Sequence, residues 1–423
     1  MLKILASVGS LIISTAIVQL GNGLLTTLLS LRMELEGFPT EVTGIVMSFY
    51  FAGQVVGSVT IPRAVERVGH IRAFAAAVAL LSASALSHLF VVAAPIWAAL
   101  RTVTGYGMAG VGLASESWLN DRATNETRGR ILALYMATVF LATGLGQFLL
   151  ILGDPASFEL FCLATVLLML GLLPVALTRA QAPVIGERSK FRFRELYAVS
   201  PLGVAGVTGA GLVNSAFYAM GPLFAKDIGL GAIGVSVFMG VTIISGLFMQ
   251  WPVGRLSDRY DRRTILTGVF FGVAVVSALI VLATGTSRES LFVLAVVYGG
   301  LSFTVYSLSV AHASDFVARK DLIRAVSGFV LAYGIGASAG PFVASALMAQ
   351  IGPTGLFMYA GAINLALALF GLYRMRARPA MPKAMQGPFV SVPPTTPVVE
   401  RLDPRAEPAP AGASRAPRPG DET

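Results

Sequence analysis

The stretch Gly254-Arg255-Leu256-Ser257-Asp258-Arg259-Tyr260-Asp261-Arg262-Arg263 joins two apolar runs, 231–254 and 264–286. Each run is long enough to cross a bilayer, which takes about 20 mostly apolar residues. The join is a tight turn. It opens on Gly, where two helices must approach closely, and then presents an acid and several arginines. The acid can accept from a neighbouring helix N-terminus, and the arginines can pair with carboxylates on adjacent helices. Such a cluster would latch one side of a helical membrane protein shut and release it on opening.

Ten further runs of the same kind flank this pair: 4–31, 42–62, 73–93, 96–118, 130–152, 157–178, 200–225, 289–313, 325–350 and 354–373. The total of twelve spans accounts for a 423-residue chain that is 55% apolar and 13% charged, about half the charge of an average globular chain. That composition excludes a soluble enzyme, a disordered scaffold and a disulfide-stapled domain. Short alternating strands are missing, which excludes a β-barrel. The first run is too long for a signal peptide and no small-x-small cleavage site follows it, so it reads as the first span. The single cysteine, Cys162, lies in an apolar run and reads as a small buried hydrophobe.

The charges set an orientation. With the N-terminus inside, Arg32, Lys226 and Arg288 are the only basic residues in outer loops; Arg101 lies within a span and the rest face the cytoplasm. The reverse arrangement violates the positive-inside rule. The net charge of +9 therefore reports topology and not a nucleic-acid partner. Both termini are expected in the cytoplasm of a bacterial cell, the spans in its inner membrane.

The spans divide into an N-terminal six-helix bundle, 1–178, and a C-terminal one, 200–376, joined by a polar linker, 179–199. The linker's Phe-Arg-Phe-Arg-Glu-Leu stretch, 191–196, either lies on anionic lipid as a short basic helix or is solvated. A shift of 192 places Asn22 on Asn214 and Glu66-Arg67 on Asp258-Arg259. A shift of 194 places Gly105 on Gly299, Asp121 on Asp315, Arg130 on Arg324 and Gly146 on Gly340. Near-constant offsets indicate parallel repeats with a site at midplane between them. Residues 377–423 hold eleven of the chain's 22 prolines and are expected to be a disordered cytoplasmic tail.

The 254–263 loop resembles the loop signature of the major facilitator superfamily. The equivalent loop, Pro62-Arg63-Ala64-Val65-Glu66-Arg67-Val68-Gly69, has Pro62 where the family usually has Gly and Glu66 where it has Asp. Arg101-Thr102-Val103-Thr104-Gly105-Tyr106-Gly107 resembles the Arg-xxx-Gly-x-Gly motif of many proton-coupled members. Asp121 and Arg128 have the acid-x6-Arg spacing that pairs with loop arginines in related transporters. Gly336–Pro341 resembles the antiporter GxxxGP element, which the family normally carries in span five; here span five lacks the Pro. Ser48–Gly53, Arg128–Met136 and Gln250–Leu256 are similar to the YcaD-like branch. The resemblance covers residues 1–376 and implies twelve spans and alternating access.

Apart from span ends, Arg101 and Glu116 are the charged side chains inside the spans, both on span four. Their separation of 15 residues puts them ~22 Å apart along a helix and ~60° around it. Arg101 is permanently charged: either it anchors an anionic substrate or tunes a nearby acid, or it is a structural clamp on helix carbonyls. Glu116 can titrate: either it couples protons, or it joins the cytoplasmic arginine network with Asp121. In this family spans one and seven line the cavity, which makes Asn22 and Asn214 candidate substrate contacts; Thr26, Gln54, Gln147 and Tyr218 join them, with helix-to-helix glue as the alternative. His88 and His312 read as local hydrogen-bond partners. The candidate gate comprises Glu66, Arg67, Asp121, Arg128, Arg130, Gly254, Asp258, Arg259, Arg262, Arg263, Asp315 and Arg324. No metal-ligand spacing, phosphate-binding loop or nucleophile–base constellation occurs, so neither a cofactor nor catalysis is expected. The expected function is secondary transport of a small organic solute, functional as a monomer. Proton-coupled efflux is the first reading and proton-coupled uptake the second; a non-transporting receptor is the alternative class.

Overall fold

The computed structural model describes residues 2–124, 126–178, 193–318, 321–377, 381–382 and 386–394. It is all-helical. The N-terminal half contains α1 (Leu2–Leu35), α2 (Thr40–Val68), α3 (His70–Ser87), α4 (Ala94–Arg122), α5 (Arg128–Phe148), α6 (Glu159–Leu170) and the one-turn α7 (Leu173–Ala176). A short helix, α8 (Phe193–Val199), precedes the C-terminal half: α9 (Pro201–Asp227), α10 (Ala232–Arg259), α11 (Arg262–Ala283), α12 (Arg288–Ser302), α13 (Thr304–Ser314), α14 (Leu322–Ile351) and α15 (Gly355–Ala377). The sixth span is α6 continued by α7, and the tenth is α12 continued by α13.

Local chemistry sets these boundaries. Ser200 caps α9, accepting from the Gly203 N–H, with Pro201 opening the helix. Asp261 caps α11 through the Arg263 N–H at 3.0 Å. Gly69, with φ +82°, makes the turn between α2 and α3. In the linker, residues 179–192 lie outside the described residues, whereas α8 buries Leu196 completely. That side chain faces Gly328 on α14.

Among the described residues, eleven helices are long and apolar enough to cross a membrane by length and composition. Helix α4 is the exception, and the reason is its position. It is buried along most of its length between α2 and α3, and its sequence is correspondingly rich in Gly, Ser and Thr around Arg101 and Glu116. A span shielded from lipid by its neighbours does not need a lipid-facing apolar surface.

The repeat offsets correspond to packing. A Cβ on Gly105 would lie 1.8 Å from the Tyr50 carbonyl oxygen, and one on Gly299 would lie 2.0 Å from that of Thr242. Position 242 is 50 shifted by 192. Likewise Gly146 abuts Leu20 O, and Gly340 abuts Leu212 O. Each half thus builds the same two backbone-to-backbone helix crossings. Gly105→Ala has no flexible atom to push aside, and is expected to cut the yield of folded protein several-fold and lower the melting temperature. Gly129→Ala, which meets nothing within 4 Å, serves as the control for a thermal-unfolding comparison.

The halves meet through α2 with α14, α5 with α10, and α1 with α9. Contacts between them gather from the midplane to the end opposite the 254–263 loop. Gly44 packs on Ser345 and Pro341, Gly144 on Ile244, and the Phe140 and Phe303 rings lie 5.9 Å apart. At the extreme of that end Lys226 Nζ reaches Glu34 Oε1 at 2.5 Å, and Ser30 Oγ donates to Ala219 O at 2.7 Å.

The expectation of a disordered tail fails for residues 386–394. This segment, Gln386-Gly387-Pro388-Phe389-Val390-Ser391-Val392-Pro393-Pro394, runs extended against the C-terminal half, with Val392 1% exposed. Its prolines fix φ before docking, so ordering costs little entropy, while Phe389, Val390 and Val392 supply the apolar surface. Residues 395–423 lie outside the described residues.

Candidate functional site

A cavity of about 140 Å³ lies at the middle of the molecule between the halves. That volume is close to an engineered cavity of ~150 Å³ that holds benzene, so in this conformation it accepts one small ring or a comparable group. Its wall belongs mostly to the N-terminal half: Thr15, Gln19, Asn22, Thr26 and Thr27 on α1, Tyr50 and Gln54 on α2, Arg101 on α4, and Tyr135, Thr143 and Gln147 on α5. The C-terminal half contributes Tyr218, Ala219 and Tyr333, and the docked segment contributes Pro394.

Arg101 is the dominant electrostatic feature. Its side chain is 1% exposed and its guanidinium carbon sits 4.4 Å from the Tyr50 ring centroid. Two of its nitrogens, Nε and Nη1, are buried without a hydrogen-bond partner. A desolvated cation stacked on an aromatic face gains about 2 kcal/mol. That is far less than the cost of burying a guanidinium with idle donors. The clamp reading, which needs those donors on helix carbonyls, does not describe this geometry. The arrangement instead presents a fixed positive charge with two unpaired donors on a cavity wall.

The other sequence candidates separate. Asn22 lines the cavity and its Oδ1 is buried without a partner. Thr26 lines it but donates its hydroxyl back to Asn22 O at 2.9 Å. Gln54 reaches Tyr50 Oη at 3.3 Å. Gln147 faces the cavity yet is fully engaged: it donates to Gly23 O and Thr143 O, both at 3.1 Å, and accepts from Thr27. It ties α5 to α1 while presenting its edge to the cavity. Tyr218 stands on the wall with its ring 5.4 Å from Phe303. Asn214, the repeat partner of Asn22, is not on the wall; its Oδ1 accepts from Ser302 Oγ at 2.9 Å. That bond sits beside the break between α12 and α13. The bond ties α9 to α12, so the two asparagines of the pair stand differently: Asn22 on the wall and Asn214 behind it.

Glu116 is fully buried one turn beyond Gly112, behind the wall. Tyr135, which is on the wall, donates to Glu116 Oε1 at 3.2 Å. The carboxylate thus communicates with the cavity through a hydroxyl on α5. Asp121 is exposed. His88 bonds Ser84 O through Nδ1 at 2.7 Å and packs on Trp97, as a local partner should. His312 packs on Phe316.

At the basic end, the gate candidates of the C-terminal half form two ion-paired groups. Arg262, 1% exposed, donates to Asp315 Oδ2 at 2.6 Å, Asp258 Oδ1 at 3.1 Å and Ala311 O at 3.2 Å. Arg263 pairs with Asp261 at 3.0 Å. Burial raises the Asp261 carboxyl, but the hydrogen bonds from the Arg263 side chain and backbone override it and hold the group below its ordinary value. Arg259 stacks near Tyr260. Gly254 lies under the Phe389 ring, which a Cβ would meet at 2.4 Å. In the N-terminal half Glu66, Arg67 and Arg130 are exposed and Arg128 is half-buried. The Arg324 side chain lies outside the described residues.

Sequence reading missed Tyr50, Tyr135, Tyr333, Gln19 and Pro394. The polar Gln19 carried the same signal as Gln54. The tyrosines did not stand out, because an aromatic within an apolar run reads as core.

Comparison with known proteins bears on the family and the fold. The family model described as Major Facilitator Superfamily matches residues 11–310 and 252–406. The chain is 27% identical over 351 residues to the MFS-type transporter YcaD of Salmonella arizonae, spanning 82% of this chain and 90% of that one. It is 28% identical over 359 residues to YcaD of Escherichia fergusonii, spanning 84% and 93%. Among solved structures, a point mutant of the nucleoside transporter NupG superposes with a TM-score of 0.72 at 14% identity, covering 86% of this chain and 98% of that one. A D-xylose–proton symporter superposes with a TM-score of 0.66 at 14% identity, covering 86% and 96%.

Proposed function

Because the chain belongs to the major facilitator superfamily, and is thus a transporter and not an enzyme, we propose that it moves a small organic solute by proton-coupled alternating access, and that the solute presents an anionic or strongly accepting group to Arg101. The observation that carries the solute class is the pair of idle guanidinium donors on the wall of a buried cavity. A permanent, largely buried cation discriminates by charge-assisted hydrogen bonds, and the facing tyrosines suit a flat or ring-bearing body. Glu116, linked to the wall by Tyr135, is the proposed proton site.

The end bearing Arg259, Arg262 and Arg263 is proposed to face the cytoplasm of a bacterial inner membrane, following the positive-inside rule. The Lys226–Glu34 pair then closes the outer side, and the conformation is inward-facing. Efflux by proton antiport is the first reading. Uptake by symport is the second, and the likeness to a D-xylose–proton symporter supports it.

The test is flux in proteoliposomes with an imposed pH gradient, using labelled organic anions, nucleosides and sugars as probes. Accumulation into vesicles with an acidic lumen is the antiport result, and accumulation from an acidic exterior is the symport result. Flux that ignores both gradients overturns proton coupling, and preference for cationic probes overturns the role given to Arg101.

A further inference from the structure

We infer that the C-terminal half carries a peptide-binding site at its basic end, that its ligand is the chain's own segment 386–394, and that this segment acts as a strap holding the inner gate apart. The contacts form a continuous line from mouth to cavity. At the mouth, the Gly387 N–H donates to Asp315 Oδ1 at 3.1 Å and Arg262 Nη2 donates to Gly387 O at 2.7 Å. Next the Phe389 N–H donates to Asp258 Oδ1 at 2.8 Å, while the Phe389 ring covers Gly254. Deeper, the Val392 N–H donates to Ser307 Oγ, which donates back to Val392 O, both at 3.2 Å. The line ends at Pro394 on the cavity wall. An extended chain covers roughly 3.3 Å per residue, so residues 387 to 394 span ~23 Å, enough to run from the end of α13 to midplane.

The chemistry is that of a built site. At each of these three levels a backbone group of the strap meets a side chain able to satisfy it, and one of those side chains, Asp258, is a gate candidate. A carboxylate oxygen that accepts from Phe389 N–H and from Arg262 is committed to the strap. Closing the inner side by bringing the N-terminal half onto this loop requires the strap to leave, because Phe389 covers Gly254 and Pro394 stands in the path to the cavity. The strap therefore favours the inward-facing state and partly fills its vestibule, and its departure is coupled to closure.

This rests on the alternating-access reading, so the test uses a readout that needs no solute. In a Cys162→Ser background, spin labels at Val68→Cys and Tyr260→Cys, both exposed ends of gate helices, report the inner-side distance in nanodiscs. Truncation after Ala377 is expected to raise the ratio of short to long distances about tenfold, the weight of one charge-assisted hydrogen bond lost from the open state. Val392→Asp in the full chain is expected to do the same, and a synthetic peptide of residues 386–394 added to the truncated protein is expected to reverse it. A Ser307→Cys, Val392→Cys pair is expected to crosslink under mild oxidation and to abolish the short-distance population until reduced. Identical distance distributions with and without the tail, or no crosslink at that pair, overturn the proposal. Failure of the solute assays above with these distance changes intact would count against the transport reading alone.

Discussion

Arg101→Gln is expected to lose at least about a hundredfold in solute affinity and to melt no lower than the wild type. The two halves of that expectation have one cause. In the described conformation Nε and Nη1 make no hydrogen bond, so the guanidinium holds nothing together there. The stacking on Tyr50 is the one compensating contact the geometry supplies, and removing a buried, underpaired charge is neutral or stabilising. When a solute arrives, the idle donors gain an acceptor in a buried site. Charged hydrogen bonds contribute about 1.5–3 kcal/mol each, so two amount to roughly 10² to 10⁴ in affinity. Arg101→Lys is expected to recover only part, since a single ammonium cannot present the planar fork. Binding by calorimetry with the tightest probe found in the flux screen, together with thermal unfolding, separates the alternatives. A structural clamp predicts a large drop in melting temperature with affinity spared in the surviving fraction; that outcome would sink the anchor role.

Why Arg101 was legible and Tyr50 was not illustrates how the site was readable in the sequence. A charge within a 20-residue apolar run is expensive enough to announce itself. A tyrosine in the same setting is not, because its ring alone justifies burial. The repeat offsets located helix crossings correctly: Gly105 with Gly299, and Gly146 with Gly340, are contact points where only hydrogen fits. The same offsets did not locate the cavity wall: Asn22 lines it and Asn214 does not. Symmetry of the backbone carries no information about which half lends its face to the cavity, and here the N-terminal half lends most of it. Helix α4 was found as one of the twelve apolar runs, although Gly, Ser, Thr and two charges interrupt it. The strap was missed for a different reason. Composition averaged over 377–423 is that of a chain that cannot fold alone, and segment 386–394 does not fold alone: it borrows a preformed surface on α10 and α13, of which the tail's own sequence holds no record.

The Arg262 network also changes what the 254–263 loop is doing. Read as a motif, its acid and arginines latch one half to the other. In the described conformation Arg262 instead fastens α11 to α10 and α13 through Asp258 and Asp315, and the carboxylates that a partner half would need are shared with the docked segment. In this conformation the motif therefore ties three helices of one half together and holds the docked segment on the same carboxylates. A rigid half that moves as a body is what a rocking mechanism between repeats requires.

Glu116→Gln is expected to abolish accumulation driven by a pH gradient while leaving solute binding within about threefold of the wild type. The substitution keeps shape and keeps an oxygen for the Tyr135 hydroxyl, so the packing of α4 against α5 should survive. What it removes is the ability to exchange a proton, and ionisable groups buried in membrane spans are kept for such work and not for stability. Glu116 is fully buried while Tyr135 lines the cavity, so on the proposed coupling role the proton reaches the carboxylate from the cavity by way of Tyr135. Tyr135→Phe is therefore expected to retain transport but to change its pH profile, because it breaks that link without touching the carboxylate. Solute exchange with no gradient should persist in Glu116→Gln, since exchange needs no net proton movement. If the Gln variant still concentrates solute with native pH dependence, the carboxylate is structural, and the coupling must pass through a group at the basic end. Asp315 is the acid to test next, because it already bridges Arg262 and the Gly387 N–H and so would tie a protonation event to release of the strap.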